Sequence, residues 1–278
     1  MSSTSLQARA RAVAREGERP ASMMAAEVAS LPILGLPVLD LSWSEGLDFL
    51  DMRLSEAGSF GHIAFLNANN ANIMVRDSAY RDVLERSIVL ADGIGVDIAA
   101  RLLHGARFSA NLNGTDLVPA LLTYIETPLR VGLIGATSSV LEDAARNFRR
   151  HAPWHSFVEI SDGYFDRAEP GVIVERISAA KLDLLLVAMG TPLQEKWVDR
   201  HLGPSHARVV MSVGALLDFV SGHVPRAPNR FRRLRLEWLY RLWLEPSRLW
   251  RRYVVGIPVF LFHIWRHRAK GRAQATSR

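Results

Sequence analysis

The chain has 278 residues, 49% of them apolar, no cysteine and a formal net charge of +6. That length gives one large domain or two small ones ample material for a buried core. The missing cysteines exclude disulfides, thiolate metal sites, iron–sulfur clusters and cysteine nucleophiles.

The charge is unevenly spread. Residues 226–278 carry 14 Lys and Arg against Glu237 and Glu245, a net +12, which leaves residues 1–225 at −6. Of the 34 basic residues 31 are Arg, and four of the seven Trp lie beyond residue 226. An acidic body thus carries an Arg/Trp-rich tail that needs an anionic partner: nucleic acid, phospholipid head groups or a phosphorylated ligand. The best apolar run, Tyr253 to Trp265, has 13 residues and includes Gly256, Pro258 and His263. A helical span needs roughly 20. Residues 1–30 read as a disordered leader without a signal-peptide apolar region, so a cytoplasmic location is expected.

In chain order, Pro32–Leu41 reads as an entry strand and Ser44–Leu54 as a helix. Ile63–Asn67 is a short buried strand and Ala71–Leu84 one helix. Ser87–Ala91 is a second strand, broken by Asp92-Gly93, with a helix near Val96–Leu103. Thr115-Asp116 can cap a helix over Leu117–Tyr124. Strands then follow at Arg130–Ile134, Phe157–Ile160, Leu182–Met189 and Arg208–Val213. Helices at Ser138–Arg150, Gly171–Ala180, Leu193–Asp199 and Ala215–Ser221 alternate with them. Alternating elements with strands apolar on both faces predict an open, mostly parallel Rossmann-like α/β sheet with helices on both sides. Two prolines and the charge change put a boundary at Gly222–Pro228. Residues 31–225 are then an α/β catalytic domain and residues 226–278 a helical tail. In that tail Phe231–Leu244 and Pro246–Tyr253 read as two short helices, Pro246 suiting a first turn.

Ligands of open parallel sheets bind at the strands' carboxyl ends. The residues expected there are Asn67-Ala68-Asn69, Asp92-Gly93, Gly135-Ala136-Thr137, Asp162-Gly163-Tyr164, Gly190-Thr191-Pro192-Leu193-Gln194-Glu195 and Gly214. Asp-Gly and Gly-Thr-Pro are also ordinary turn formers, but six such loops would share one rim. Gly132–Thr137 lacks the G-x-G-x-x-G spacing, and there is no P-loop, H-E-x-x-H, D-x-D or G-x-S-x-G motif. No metal or cofactor is indicated. What remains is chemistry with a carboxylate base and an anionic leaving group. In transfer onto a hydroxyl, Asp92 takes the acceptor proton while backbone N–H groups and Arg side chains stabilise a departing diphosphate.

The motifs resemble the WecG/TagA/CpsF glycosyltransferases, bacterial enzymes that extend lipid-linked sugars in surface-polysaccharide and teichoic-acid assembly. The carrying residues are Asn67, Ala91-Asp92-Gly93-Ile94-Gly95, Asn113-Gly114-Thr115-Asp116-Leu117, Asp162-Gly163-Tyr164-Phe165 and Gly190–Glu195. The tail adds Arg226-Ala227-Pro228, Leu236-Glu237-Trp238, Arg241, Glu245-Pro246 and Arg248–Tyr253. The resemblance implies an inverting, metal-independent transfer from a UDP-sugar to a polyprenyl-diphosphate-linked saccharide. Asp92 matches the family's base and Gln194 its active-site glutamine. The substrates would then meet Asn67, Asn111, Asn113, Gly135, Thr137, Asp162, Tyr164, Gly190, Thr191 and Gln194. Arg226, Arg241, Arg248, Arg251 and Arg252 would meet the acceptor diphosphate and an anionic membrane, placing the chain peripherally on the inner face of the plasma membrane. A homo-oligomer is compatible with this reading.

Two positions depart from the family. Phe65 stands where many members have Thr, and Asn111 where many have Arg. Both resemble the GumM-like branch, which adds glucose to a lipid-linked glucose in xanthan-type exopolysaccharide assembly. Glucose is therefore the expected donor sugar, with N-acetylmannosamine transfer onto lipid-linked N-acetylglucosamine as the alternative. The competing class is a nucleic-acid-binding α/β protein, but the body shows no nucleic-acid-reading module, so nucleic acid is not the expected partner.

Overall fold

In a computed structural model, residues 28–167, 169–227 and 237–276 are described. Most of the expected leader, residues 1–27, and residues 228–236 at the start of the tail lie outside them.

The chain forms one six-stranded, all-parallel sheet in the order β2-β1-β6-β5-β3-β4. The strands are β1 (Gly61–Leu66), β2 (Ile88–Ala91), β3 (Arg130–Gly135), β4 (Ser156–Ser161), β5 (Leu182–Ala188) and β6 (Ala207–Ser212). The helices of the body are α1 (Trp43–Ser55), α2 (Ala68–Arg76), α3 (Ser78–Arg86), α4 (Ile94–His104), α5 (Gly114–Tyr124), α6 (Ser138–His151), α7 (Gly171–Ala180), α8 (Leu193–His201) and α9 (Leu216–Ser221). Strand side chains alternate between two apolar layers. Ile63 and Phe65 of β1 join the layer formed with α1, α5, α6 and α9, whereas Ala64 and Leu66 join the layer under α2, α3 and α4. In β5, Leu184 and Leu186 face the first layer, and Leu182, Leu185 and Val187 pack with α7 and α8. Burial on both faces explains the continuous apolar strands.

Because every strand is parallel, all carboxyl ends share one edge of the sheet. The connection from β3 runs outward to β4, and that from β5 runs the other way to β6, which opens a crevice between β3 and β5.

Several expectations at the element level are corrected. Pro32–Leu41 is not a strand: isolated bridges join Ile33 to Leu36 and Ser30 to Leu39, and one parallel bridge ties Leu39 to Leu90. The helix expected over Ala71–Leu84 is two helices, because the Asp77 side chain accepts from the Tyr80 N–H and caps α3. The cap of α5 is Asn113, two to three residues before the expected Thr115-Asp116; its side chain accepts from the Asp116 N–H at 3.0 Å. An asparagine in extended conformation serves as N-cap at least as well as threonine.

The tail holds α10 (Glu237–Leu244), α11 (Pro246–Trp250), a π-helical turn at Arg251–Val255 and a long helix α12 (Gly256–Thr276). Neither the π-helical turn nor α12 was expected. Phe260 and Ile264 of α12, four residues apart, are fully buried in the layer formed by α2, α3 and α4, and Asn72 Nδ2 donates to the Gly256 carbonyl at 2.7 Å. The first half of α12 is thereby part of the core. Among the described residues no helix is long and apolar enough to cross a membrane.

Candidate active site

The site grows from the ends of β1 and β2. Asn67 follows β1 in extended conformation and caps α2, its Oδ1 accepting from the Asn70 N–H at 3.1 Å. This leaves its Nδ2 to donate to Asp92 Oδ2 at 3.1 Å. Asp92 follows β2, and its own N–H returns to the Leu66 carbonyl at 2.9 Å, so backbone and side chain both lock the carboxylate to the β1 loop. Gly93 turns with φ +88°, a conformation that side chains resist, and its N–H donates to Asn111 Oδ1 at 2.6 Å. At Gly95 a Cβ would stand 3.0 Å from the Ala68 Cβ, so the first turns of α2 and α4 approach closely only because this residue is glycine.

Together these residues line a cavity of about 330 Å³ with Ala68, Asn69, Ile98, Asn113, Thr115 and Asp116. The N-termini of α2, α4 and α5 all open on it, presenting N–H groups and the positive ends of three helix dipoles. The tail supplies the opposite wall: Trp238, Arg252, Tyr253 and Ile257, with Phe219 of α9. Trp238 and Tyr253 pack at 5.6 Å between ring centroids. The Arg252 guanidinium lies over the Tyr253 ring, and its buried Nε has no hydrogen-bond partner among the described residues. A carboxylate, three helix N-termini and a half-buried arginine thus surround one space, fit for an anionic ligand and a proton transfer.

The other loops form a second cluster on the same edge, around the β3–β5 crevice. Gly135 has φ +122°, and a Cβ there would fall 2.2 Å from the Ala188 carbonyl oxygen. The Ala136 N–H reaches that oxygen at 3.0 Å, and the Gly163 N–H reaches the Ala136 carbonyl at 2.8 Å. Thr137 caps α6. Asp162 accepts from Ser138 Oγ at 2.6 Å and the Tyr164 N–H at 2.9 Å, and these donors hold its carboxyl below the usual range. Tyr164 is 77% exposed.

In the β5 loop the Gly190 N–H donates to Gln194 Oε1 at 3.1 Å, and Gln194 Nε2 and Thr191 Oγ1 donate to Glu195 Oε1 at 2.9 and 2.8 Å. Gln194 and Glu195 are 1% exposed. Desolvation raises the Glu195 pKa against those two donors. The structure therefore turns the Gln194 amide inward to brace the loop.

Asn67, Asp92, Asn111, Asn113 and Arg252 are brought together at the first cavity. Gly135, Thr137, Asp162, Tyr164, Gly190, Thr191 and Gln194 are not among its lining. Arg226 is held by the body: it pairs with Asp116 Oδ1 at 2.9 Å, donates to the Thr115 carbonyl and lies over Phe219. Arg251 is exposed beside Trp250. Arg241 and Arg248 fall in α10 and α11, but their side chains lie outside the described residues. Phe219 and Ile257 escaped the sequence reading, since single apolar residues carry no signal of a cavity wall. The Asn67–Asp92 pairing was legible only as two motifs.

A family model for "Glycosyl transferase WecG/TagA/CpsF family" matches residues 31–274. The chain belongs to the WecG/TagA/CpsF glycosyltransferase family. Among curated relatives of this glycosyltransferase, one from Bacillus subtilis (strain 168) is 33% identical over 233 residues, 82% of this chain and 88% of the relative. One from Bacillus spizizenii is 32% identical over 80% of this chain and 89% of the relative, and one from Staphylococcus aureus 32% over 75% and 81%. All three are named N-acetylglucosaminyldiphosphoundecaprenol N-acetyl-beta-D-mannosaminyltransferase. The match extends through most of α12, so the tail belongs to the family pattern.

Proposed function

We propose that this glycosyltransferase moves a sugar from a UDP-sugar to a polyprenyl-diphosphate-linked saccharide, with inversion and with Asp92 as general base. The supporting observation is the Asp92 carboxylate, held by Asn67 at a cavity walled by three helix N-termini and Arg252. The acceptor hydroxyl attacks the anomeric carbon as its proton passes to Asp92, and the bond from that carbon to the diphosphate oxygen breaks. The negative charge developing on UDP is met by helix N-termini and Arg252. The β3–β5 crevice, with Asp162 and the loop braced by Gln194, suits the nucleoside. The Arg/Trp-rich tail completes the acceptor side and rests on the anionic membrane that holds a lipid acceptor.

The names of the relatives favour N-acetylmannosamine as the sugar and lipid-linked N-acetylglucosamine as the acceptor over the glucose expected from two positions. Those positions keep glucose as a second reading: Asn111 lines the cavity and holds the Gly93 loop, and the Phe65 ring packs where a Gly114 Cβ would meet it at 3.1 Å.

The test compares UDP-N-acetylmannosamine and UDP-glucose as donors, with lipid-diphosphate acceptors ending in N-acetylglucosamine or glucose. Asp92→Asn is assayed in parallel. Turnover with one donor, lost by about 10²–10⁴ in the variant with an unchanged melting temperature, is the expected result. Full activity in the variant discards Asp92 as the base, and turnover with neither donor discards the proposed reaction.

A further inference from the structure

A second cavity, also of about 330 Å³, lies where the α2–α3 junction meets α12. Four of its lining residues, His263, Arg266, His267 and Lys270, come from α12. Their spacing of three, four and seven puts them on one flank of the helix. Arg76 from the last turn of α2 and Arg81 from α3 face them, and no acidic residue lines the space. Arg81 is committed to Glu85 at 2.8 Å and to the Leu34 carbonyl, and the nearby Asp77 to Lys196. Arg76, Arg266 and Lys270 have no acidic partner among the described residues, so three cationic groups converge without a counter-charge. Burial, followed by the Arg266 and Arg76 charges, holds the His263 pKa below its ordinary value, as expected where positive groups crowd together. Its Nε2 is buried without a hydrogen-bond partner among the described residues. Leu34, Met74 and Val75 give the space an apolar side.

We propose that this cavity binds a phosphate mono- or diester anion between α12 and the α2–α3 junction. Arg forks and the Lys ammonium match phosphate oxygens, while Ser78 at the start of α3 and the His263 and His267 side chains complete a polar lining. The site is separate from the catalytic one. Asn67 and Arg76 bracket α2, whose nine residues span about 13 Å. The inference does not rest on the transfer reaction. The phosphate is either a free phosphorylated solute or a lipid headgroup, and either would bridge α12 to the body.

The experiment measures binding to the full chain in two arms: inorganic phosphate and glycerol 1-phosphate in solution, and nanodiscs of phosphatidylcholine with or without phosphatidic acid. Arg266→Gln/Lys270→Gln removes two charges from the cavity. Arg150→Gln/Arg200→Gln removes the same charge from exposed positions of the body, outside the cavity and outside the tail. Saturable binding in either arm, weakened about tenfold by the first pair and less than twofold by the second, is the expected result. The responding arm identifies the source. Saturation in neither arm, or equal weakening by both pairs, overturns the proposal. Should the first pair fail to fold, Lys270→Gln alone, at an exposed position, gives the same reading with a smaller loss.

Discussion

Asn67 serves two elements at once: one end of its amide caps α2 and the other holds the Asp92 carboxylate. Asn67→Ser keeps a capping oxygen and removes the donor, whereas Asn67→Ala removes both. The serine variant is expected to fold with native stability and lose about 10- to 100-fold in kcat, the effect of one hydrogen bond to a charged group. The alanine variant is expected to lose about 1 kcal/mol of stability as well. Thermal melts beside steady-state kinetics separate the two, and a serine variant with native kcat removes Asn67 from the mechanism. His62 sits at the opposite end of β1, fully used by Ser212 and Ser87 at 2.9 and 3.0 Å. Burial pushes its pKa down to about 4 from 6.5, with Asp199 opposing. The unfolded chain therefore takes up the proton first. Stability present above pH 6.5 is lost as pH falls toward 4, by up to about 3 kcal/mol. Glu195 has the opposite sign: its raised pKa favours the fold in acid, a contribution lost as pH rises through the folded value. Urea midpoints from pH 7.5 to 4.5 should flatten in His62→Gln, and a slope equal to the native one excludes His62 as the group responsible.

At the scale of elements, amphipathic helices and apolar strands were legible because each repeats its signal over several residues. Gly171–Ala180 falls where its apolar spacing places it. Failures cluster where one residue decides. Asp77 splits a helical pattern that carries no proline or glycine, because a capping side chain competes with the backbone ladder. Gly256 and Pro258 look like breakers in the run that became α12, yet both lie in its first turn, where proline is tolerated. Hydropathy alone cannot show that Phe260 and Ile264 find a cavity in the body. Phe260→Ala is expected to cost about 3–5 kcal/mol if α12 unfolds together with the body. If α12 opens separately, the loss appears as faster proteolysis near Val254–Val255 with an unchanged global transition. A variant that matches the native chain in both measurements contradicts the packing of α12. Gly135→Ala puts a Cβ 2.2 Å from a backbone oxygen at a left-handed φ, so the β3 and β5 loops must part. A loss of more than about 2 kcal/mol is expected from urea unfolding.

At the scale of the molecule, alternation of elements was enough to anticipate a parallel sheet with every loop on one edge. It could not divide that edge into two clusters, because strand order is a long-range property. Which loops meet depends on β6 and β5 lying between β1 and β3. The charge asymmetry is a different kind of signal, since a long-range field needs no contacts to be read from sequence. The tail presents Trp243 and Trp265 at 76% and 65% exposure, with Phe262 and Val254 also exposed and Arg251, Arg266 and Arg268 among them. Solvated aromatics beside arginines suit the bilayer interface, where rings enter the acyl boundary and guanidinium groups stay with phosphates. Two terms then predict two behaviours. The electrostatic term should fade as the screening length falls from about 10 Å at 0.1 M salt to about 3 Å at 1 M. The apolar term should persist in salt and weaken when a ring is removed. Co-sedimentation with vesicles containing phosphatidylglycerol is expected to drop steeply over that salt range. Trp243→Ala/Trp265→Ala should bind about tenfold more weakly at every salt concentration. Binding that ignores salt, or that survives loss of both rings unchanged, would mean that the tail meets its anionic partner in some place other than a membrane surface.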